Sequence, residues 1–260
     1  MPKGICALSV VPMRSEPADA SEMVNQILFG ETYHVLEERK NWLKVRLMHD
    51  QYEGWLDRKQ HTPVDEKYLG TYFKKRPLVA SDLIEIVSQK EGGDFFPIFL
   101  GSFLPGFSPK EEKPVRIGEQ AYLYTGPSTH KKLNRQALKK FAQQYMHTPY
   151  LWGGRSPFGI DCSGFTQMVY RLSGYTLPRD SGQQAQLGQT LSFIEESEPG
   201  DLAFFDNAEG VITHVGIILE NNYIIHASGK VRLDRLDQTG IFNAEEKKHT
   251  HKLRVIKKII

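Results

Sequence analysis

The chain has 260 residues, 40% hydrophobic and 25% charged, an ordinary balance for a globular protein with room for more than one core. Its 33 Lys and Arg stand against 31 Asp and Glu, and a net charge of +2 leaves no concentrated basic face for a nucleic-acid partner. Two cysteines, Cys6 and Cys162, allow one disulfide at most and exclude a secreted-type cysteine framework. No apolar run reaches the roughly 18 residues of a membrane span. The run Ile5–Val11 has the length of a short signal core, but Pro12 and Arg14 follow it without a small-x-small cleavage site. It is expected to be the first strand of a folded domain, with Cys6 buried and inert. As numbered, the chain reads as cytoplasmic, or as periplasmic or exported if a signal before Met1 has been removed.

Residues 1–60 contain short apolar runs broken by turn signals, the mark of a small all-β domain. The runs are Ile5–Val11, Glu22–Phe29, Thr32–Glu37, Trp42–Met48 and Gly54–Leu56. Within Trp42–Met48, Leu43, Val45 and Leu47 alternate with Lys44 and Arg46, as in a half-buried strand. Residues 61–128 carry strand-like runs at Leu83–Val87, Phe95–Leu100 and Ala121–Tyr124, with a charged loop at Lys110–Pro114, and suggest a second, divergent β domain. Residues 129–260 change to mixed α and β. Asn134 is placed to cap a helix whose face carries Leu138, Phe141, Ala142 and Tyr145. A second helix starts near Cys162, with Phe165, Met168, Val169 and Leu172 on one face and Gly174 as its stop. Strands are then expected at Asp201–Phe205, His214–Leu219, Tyr223–Ala227 and Leu253–Ile256. Helices followed by consecutive strands imply an α+β unit with an antiparallel sheet.

Three residues in the last part point to nucleophilic chemistry. Cys162 falls at a helix N-terminus, where free N–H groups and the helix dipole favour a thiolate. Such sites, with an imidazolium nearby, bring a cysteine from about 8.5 into the range of roughly 3.5–7.5. Asp161 opposes this by like charge. His214 begins one strand and His226 ends the next, and the turn Glu220-Asn221-Asn222 makes the two an antiparallel hairpin. The imidazoles can then be neighbours, His214 as the base and His226 as the group that orients it. A zinc site would need a fourth ligand, and no C-x-x-C or H-E-x-x-H spacing occurs, so metal is the weaker reading.

These residues carry a family resemblance. The string D-C-S-G-F (Asp161–Phe165) resembles the nucleophile motif of NlpC-type cell-wall cysteine peptidases. So do P-Y-L-W-G-G (Pro149–Gly154), P-R-D-S (Pro178–Ser181), P-G-D-L-A-F-F (Pro199–Phe205), H-V-G-I-I-L (His214–Leu219) and I-H-A-S (Ile225–Ser228). The resemblance implies a papain-like α+β catalytic domain with the triad Cys162, His214 and His226 and no metal or cofactor. Its implied partners are peptidoglycan stem peptides, cut at the γ-D-glutamyl bond to a diamino acid. Residues 1–60, with P-M-R-S-E-P, S-E-M-V, W-L-K-V and Y-E-G-W-L, resemble a bacterial SH3-like domain. The implied fold is therefore a papain-like domain preceded by two small all-β SH3-like barrels. That layout resembles the dipeptidyl-peptidase VI subgroup, which trims short stem peptides with a free N-terminal L-alanine.

The subgroup resemblance supplies a reason for Asp161, namely to pair with the α-ammonium of the substrate. Ser163, Ser181, Tyr150 and Trp152 are expected in the pocket wall, and Glu16 or Tyr52 would contribute from the SH3-like domain. Tyr150 and Trp152 read equally well as core packing. Arg179 reads as a surface arginine, with a contact to a stem-peptide carboxylate as the alternative. The rival functions are an amidase or acyltransferase of the same fold and a non-catalytic wall-binding protein.

Overall fold

The structure, a computed structural model, describes all 260 residues. By packing the chain divides into two units, Met1–Lys131 with Trp152–Pro157, and Lys132–Leu151 with Phe158–Ile260. No helix is long and apolar enough to cross a membrane.

The first unit opens with seven strands: β1 (Lys3–Ile5), β2 (Val10–Arg14), β3 (Met23–Leu28), β4 (Thr32–Glu38), β5 (Trp42–Leu47), β6 (Glu53–Asp57) and β7 (Thr62–Val64). They form one antiparallel sheet in the order β3-β2-β6-β5-β4-β1-β7. The alternation read in β5 holds: Leu43, Val45 and Leu47 are buried with Met13, Ile27 and Leu56, while Lys44 and Arg46 reach outward to Glu53. The expected strand Ile5–Val11 is not continuous. Cys6 donates its N–H to Glu31 O and accepts from Gly30 N; β1 ends at Ile5 and β2 starts at Val10. Cys6 is buried, and burial pushes its thiol up to about 12, so it stays an inert thiol.

Helix α1 (Glu66–Tyr72) follows, capped by the Asp65 carboxylate on Tyr68 N; the sequence reading placed no helix there. Strands β8 (Leu78–Ala80), β9 (Ile84–Gln89), β10 (Phe95–Phe99), β11 (Phe103–Leu104), β12 (Val115–Ile117), β13 (Gln120–Leu123) and β14 (Ser128–Thr129) make a four-stranded and a three-stranded sheet. Their core of Val87, Ile98, Leu104 and Val115 also takes in Ile5 of β1 and Phe29, just past the end of β3. A boundary at residue 60 therefore does not separate two cores, and β7, beyond it, pairs with β1.

The segment Trp152–Pro157, which includes β15 (Arg155–Ser156), packs within this unit. Arg155 is fully buried. Its guanidinium pairs with the equally buried Glu31 at 2.9 Å, and it donates to Gln26 O and accepts nothing in return, as a cation must. Charges so deeply buried are tolerated because they are paired. Gly153 adopts φ +75°, and a Cβ there would lie 2.4 Å from Met23 O, so only glycine fits this approach.

The second unit holds α2 (Arg135–Gln144), β16 (Gly159–Ile160), α3 (Cys162–Leu172), α4 (Ser181–Gln184) and seven strands. These are β17 (Gln189–Leu191), β18 (Leu202–Asp206), β19 (Ile212–Leu219), β20 (Tyr223–Ser228), β21 (Lys230–Leu236), β22 (Gly240–Asn243) and β23 (Lys248–Lys258). Asn134 caps α2 through Ala137 N, and Leu138, Ala142 and Tyr145 are buried as the spacing predicts. The sheet runs β17-β23-β18-β19-β20-β21-β22, and β22 also pairs with β23, which closes the strands from β18 to β23 into a barrel. Helix α3 packs on β19 and β20 and stops at Gly174, whose φ of +84° suits the left-handed position after a helix.

Candidate active site

Two devices fix the start of α3. The Asp161 carboxylate caps the helix by accepting from Gly164 N at 2.7 Å. Arg179 grips the same carboxylate with both guanidinium nitrogens, at 2.9 and 2.5 Å, and also donates to Ser163 Oγ at 2.9 Å. The expectation of a surface Arg179 is thus corrected: it is buried because the Asp161 carboxylate is buried and needs a counter-charge. Ser163 is buried in this cluster, donating its hydroxyl to Asp161 Oδ1 at 3.3 Å.

Upstream, the chain is tied down by its backbone. Tyr150 N donates to Gly229 O at 2.9 Å, Ile160 N to Pro149 O at 3.1 Å, and Leu151 N to Ile160 O at 3.2 Å. This brings the Tyr150 side chain near Cys162. Burial, then the charges of Cys162 and Asp161, push its hydroxyl up to about 12, so it stays a protonated hydrogen-bond donor.

The Cys162 sulfur points at the strand segment around His214. It approaches Thr213 O at 4.0 Å, and the Val215 N–H is directed toward it. On β19, His214 lies opposite Phe205 of β18, and Gly216 lies opposite His226 of β20. His214 and His226 therefore stand diagonally on one sheet face, and their rings meet with Nε2 of His214 2.8 Å from Nδ1 of His226. His226 in turn is 3.0 Å through Nε2 from Asp234 Oδ2. Arg232, opposite His226 on β21, holds Asp234 at 2.7 Å.

This run fixes the tautomers. Although burial pushes the Asp234 carboxyl up, hydrogen bonds from His226 and Arg232 hold it below the usual carboxylate range. As an anion it accepts from Nε2–H of His226, which leaves Nδ1 of His226 bare to accept from Nε2–H of His214. Nδ1 of His214 is then the free basic nitrogen. Burial, then the charges of His226 and His251, push His214 well below the usual histidine value. Burial also lowers His226, against the pull of Asp234.

The expected depressed thiol is not found. Burial, then the charge of Asp161, push Cys162 up to about 12, against the Val215 and Ser163 N–H groups and Arg179. The sulfur is too dry for the helix terminus to prevail. At rest the Cys162 thiol and the His214 imidazole are therefore both neutral.

The remaining expected site residues separate by unit. Ser181 opens α4 in the second unit, half-buried. Trp152 lies in the first unit, 61% exposed, its indole N–H donating to Glu22 at 2.6 Å, which rules out core packing. Glu16 is exposed on the loop between β2 and β3, and Tyr52 packs against the core of the first sheet. Asp234, Arg232 and His251 escaped the sequence reading. Only the alternation Val231-Arg232-Leu233-Asp234 following a histidine strand could have pointed to β21.

Residues 147–252 match the NlpC/P60 family, and residues 13–60 match the bacterial dipeptidyl-peptidase Sh3 domain. The gamma-D-glutamyl-L-lysine dipeptidyl-peptidase of Bacillus cereus is 29% identical over 231 residues, covering 80% of this chain and 68% of that protein. Dipeptidyl-peptidase 6 of Lysinibacillus sphaericus is 29% identical over 247 residues, covering 86% and 88%. A crystal structure of an NlpC/P60 family protein from Bacillus cereus shares the fold, with TM-score 0.82 at 21% identity, covering 98% of this chain and 99% of that one.

Proposed function

We propose, for a chain that carries an NlpC/P60 cysteine peptidase domain and a bacterial dipeptidyl-peptidase SH3 domain, that it hydrolyses the γ-D-glutamyl bond to the diamino acid in peptidoglycan stem peptides. Its substrates are short peptides with a free N-terminal L-alanine, as in cell-wall recycling or turnover. The strands β8 to β14 then represent a second, divergent SH3-like domain. The observation that carries the catalytic reading is the unbroken run Asp234–His226–His214, which ends on the strand whose Thr213 O and Val215 N–H flank the Cys162 sulfur.

In the reaction, the Cys162 sulfur attacks the γ-carbonyl carbon of D-glutamate while its proton passes to Nδ1 of His214. The oxyanion is held by the backbone N–H of Cys162 and the Tyr150 hydroxyl. Collapse breaks the C–N bond, and His214 returns the proton to the departing amine of the diamino acid. Water, deprotonated by His214, then splits the thioester and regenerates the thiol. Asp161, set beside the nucleophile by Arg179, pairs with the α-ammonium of L-alanine, while Ser163 and Ser181 furnish further contacts.

The test is mass spectrometry of protein incubated with L-Ala-γ-D-Glu-diaminopimelate and with the same peptide acetylated at its N-terminus. The expected result is a free diamino acid from the first peptide only, lost in Cys162→Ala with its melting curve unchanged. Equal cleavage of both would remove Asp161 as the amine anchor. Cleavage of neither would sink the substrate assignment in favour of an amidase or a wall-binding protein, and turnover by Cys162→Ala would sink the nucleophile.

A further inference from the structure

The sheet face that bears His214 and His226 carries a third imidazole. His251, on β23, stacks on His214 with ring centroids 4.1 Å apart and planes inclined by 27°. It meets His226 at 5.7 Å, nearly perpendicular. Phe205 closes another side, 5.8 Å from His214 and 6.0 Å from His251. His251 shares a 2.9 Å hydrogen bond between its Nδ1 and Thr250 Oγ1 and is half-buried.

A ring held by one hydrogen bond keeps its place but can still rock about the axis of that bond. His214 has such a bond at Nε2, to His226. The stack against His251 removes the remaining freedom by covering one ring face. We propose that His251 is a positioning residue for the peptidase reaction, its ring holding His214 in the orientation that keeps the bond to His226 while Nδ1 takes and returns the proton of Cys162. This rests on Cys162 and His214 being nucleophile and base.

The stack works only while His251 is neutral, because a second cation 4.1 Å away would oppose an imidazolium at His214. The groups that face His251 are His214 from β19, His226 from β20, Asp234 (itself paired with Arg232) from β21, and Glu246 from the turn before β23. Burial and then His226 outweigh the two carboxylates and hold His251 down to about 4. At neutral pH it therefore offers an uncharged aromatic face, which tolerates a transient cation.

The experiment compares His251→Phe and His251→Ala in two readouts. One is the rate at which iodoacetamide alkylates Cys162 between about pH 5 and pH 8, located by peptide mass. The other is kcat and KM on the stem peptide. Loss of the stack in His251→Ala is expected to slow alkylation and lower kcat about tenfold, with KM little changed. The phenyl ring is expected to restore both to within roughly threefold. His251→Ala at wild-type rates, or His251→Phe as slow as His251→Ala with both variants melting like wild type, would overturn the role. Alkylation indifferent to His214→Ala would overturn the base assignment and the role of His251 together. If alkylation follows the expected order but no stem peptide is cut, the role stands and the substrate is wrong.

Discussion

At the scale of single residues, the proposed proton transfer depends on which nitrogen of His214 is bare, and Asp234 decides that from two rings away. An anion there draws the proton of His226 to Nε2, and the bond between the rings then places the proton of His214 on Nε2 as well. In Asp234→Asn the side-chain amide can donate to His226 Nε2 instead. Both rings would then reverse tautomer, and Nδ1 of His214 would already carry a proton. Replacing an orienting carboxylate bonded directly to a catalytic histidine costs ~10⁴-fold. With one more ring intervening, the expected loss in kcat is on the order of tenfold to a hundredfold, with KM little changed. An Asp234→Asn protein that turns over at the wild-type rate while melting normally would show that the run does not set the tautomer.

At the scale of elements, the N-terminus of α3 is a contest between two effects. The helix terminus favours a negative sulfur, whereas dryness and the Asp161 carboxylate oppose it, and the second pair prevails. Arg179 keeps the balance from tilting further, since it neutralises Asp161 and lowers the thiol from its own position. Arg179→Met would leave Asp161 buried without its partner, a loss of about 3–5 kcal/mol visible in denaturant midpoints, together with slower alkylation of Cys162. Arg179→Lys would recover only part, because an ammonium cannot match the two-pronged contact. An Arg179→Met protein as stable as wild type would mean that the capping bonds alone hold Asp161.

At the scale of the whole molecule, the same buried groups make folding depend on pH in a defined direction. His214, His226 and His251 all lie below their ordinary value of 6.5 in the folded chain. The unfolded chain therefore binds more protons as pH falls below 6.5, and stability is lost from there downward, toward about 4 for His251. Cys6 and Cys162 are raised from 9.0 to about 12, so stability is fully present below 9 and is lost as pH rises above it. Melting temperature is expected to be flat between these limits and to fall on both sides. The acid decline begins above the carboxylate range. A Tm that held steady from pH 7 down to pH 5 (a window chosen to lie above the ordinary range of about 4 for carboxylates) would contradict buried neutral histidines.

The sequence by itself determined the pieces that depend on local pattern. Alternation marked β5, the 3.6-residue period and caps marked α2 and α3, and the Asn-rich turn paired the strands that carry His214 and His226. It also placed Cys162 at the start of α3, because a cysteine before an amphipathic run is visible in one dimension. Only the tertiary structure decided what depends on residues far apart in the chain. The pairing of β23 with β18, itself beside β19, brings His251 onto His214, and β21 supplies Asp234, which no spacing rule connects to a histidine eight residues earlier. Burial was equally hidden: it turned Arg179 from a surface cation into the partner of Asp161 and raised the thiol that the helix terminus was expected to lower. Cores shared across an expected boundary, as Ile5 and Phe29 are with Val87 and Ile98, leave no mark in local sequence either. Hydrogen bonds within an element repeat with its period, but solvent exclusion is a sum over the whole fold.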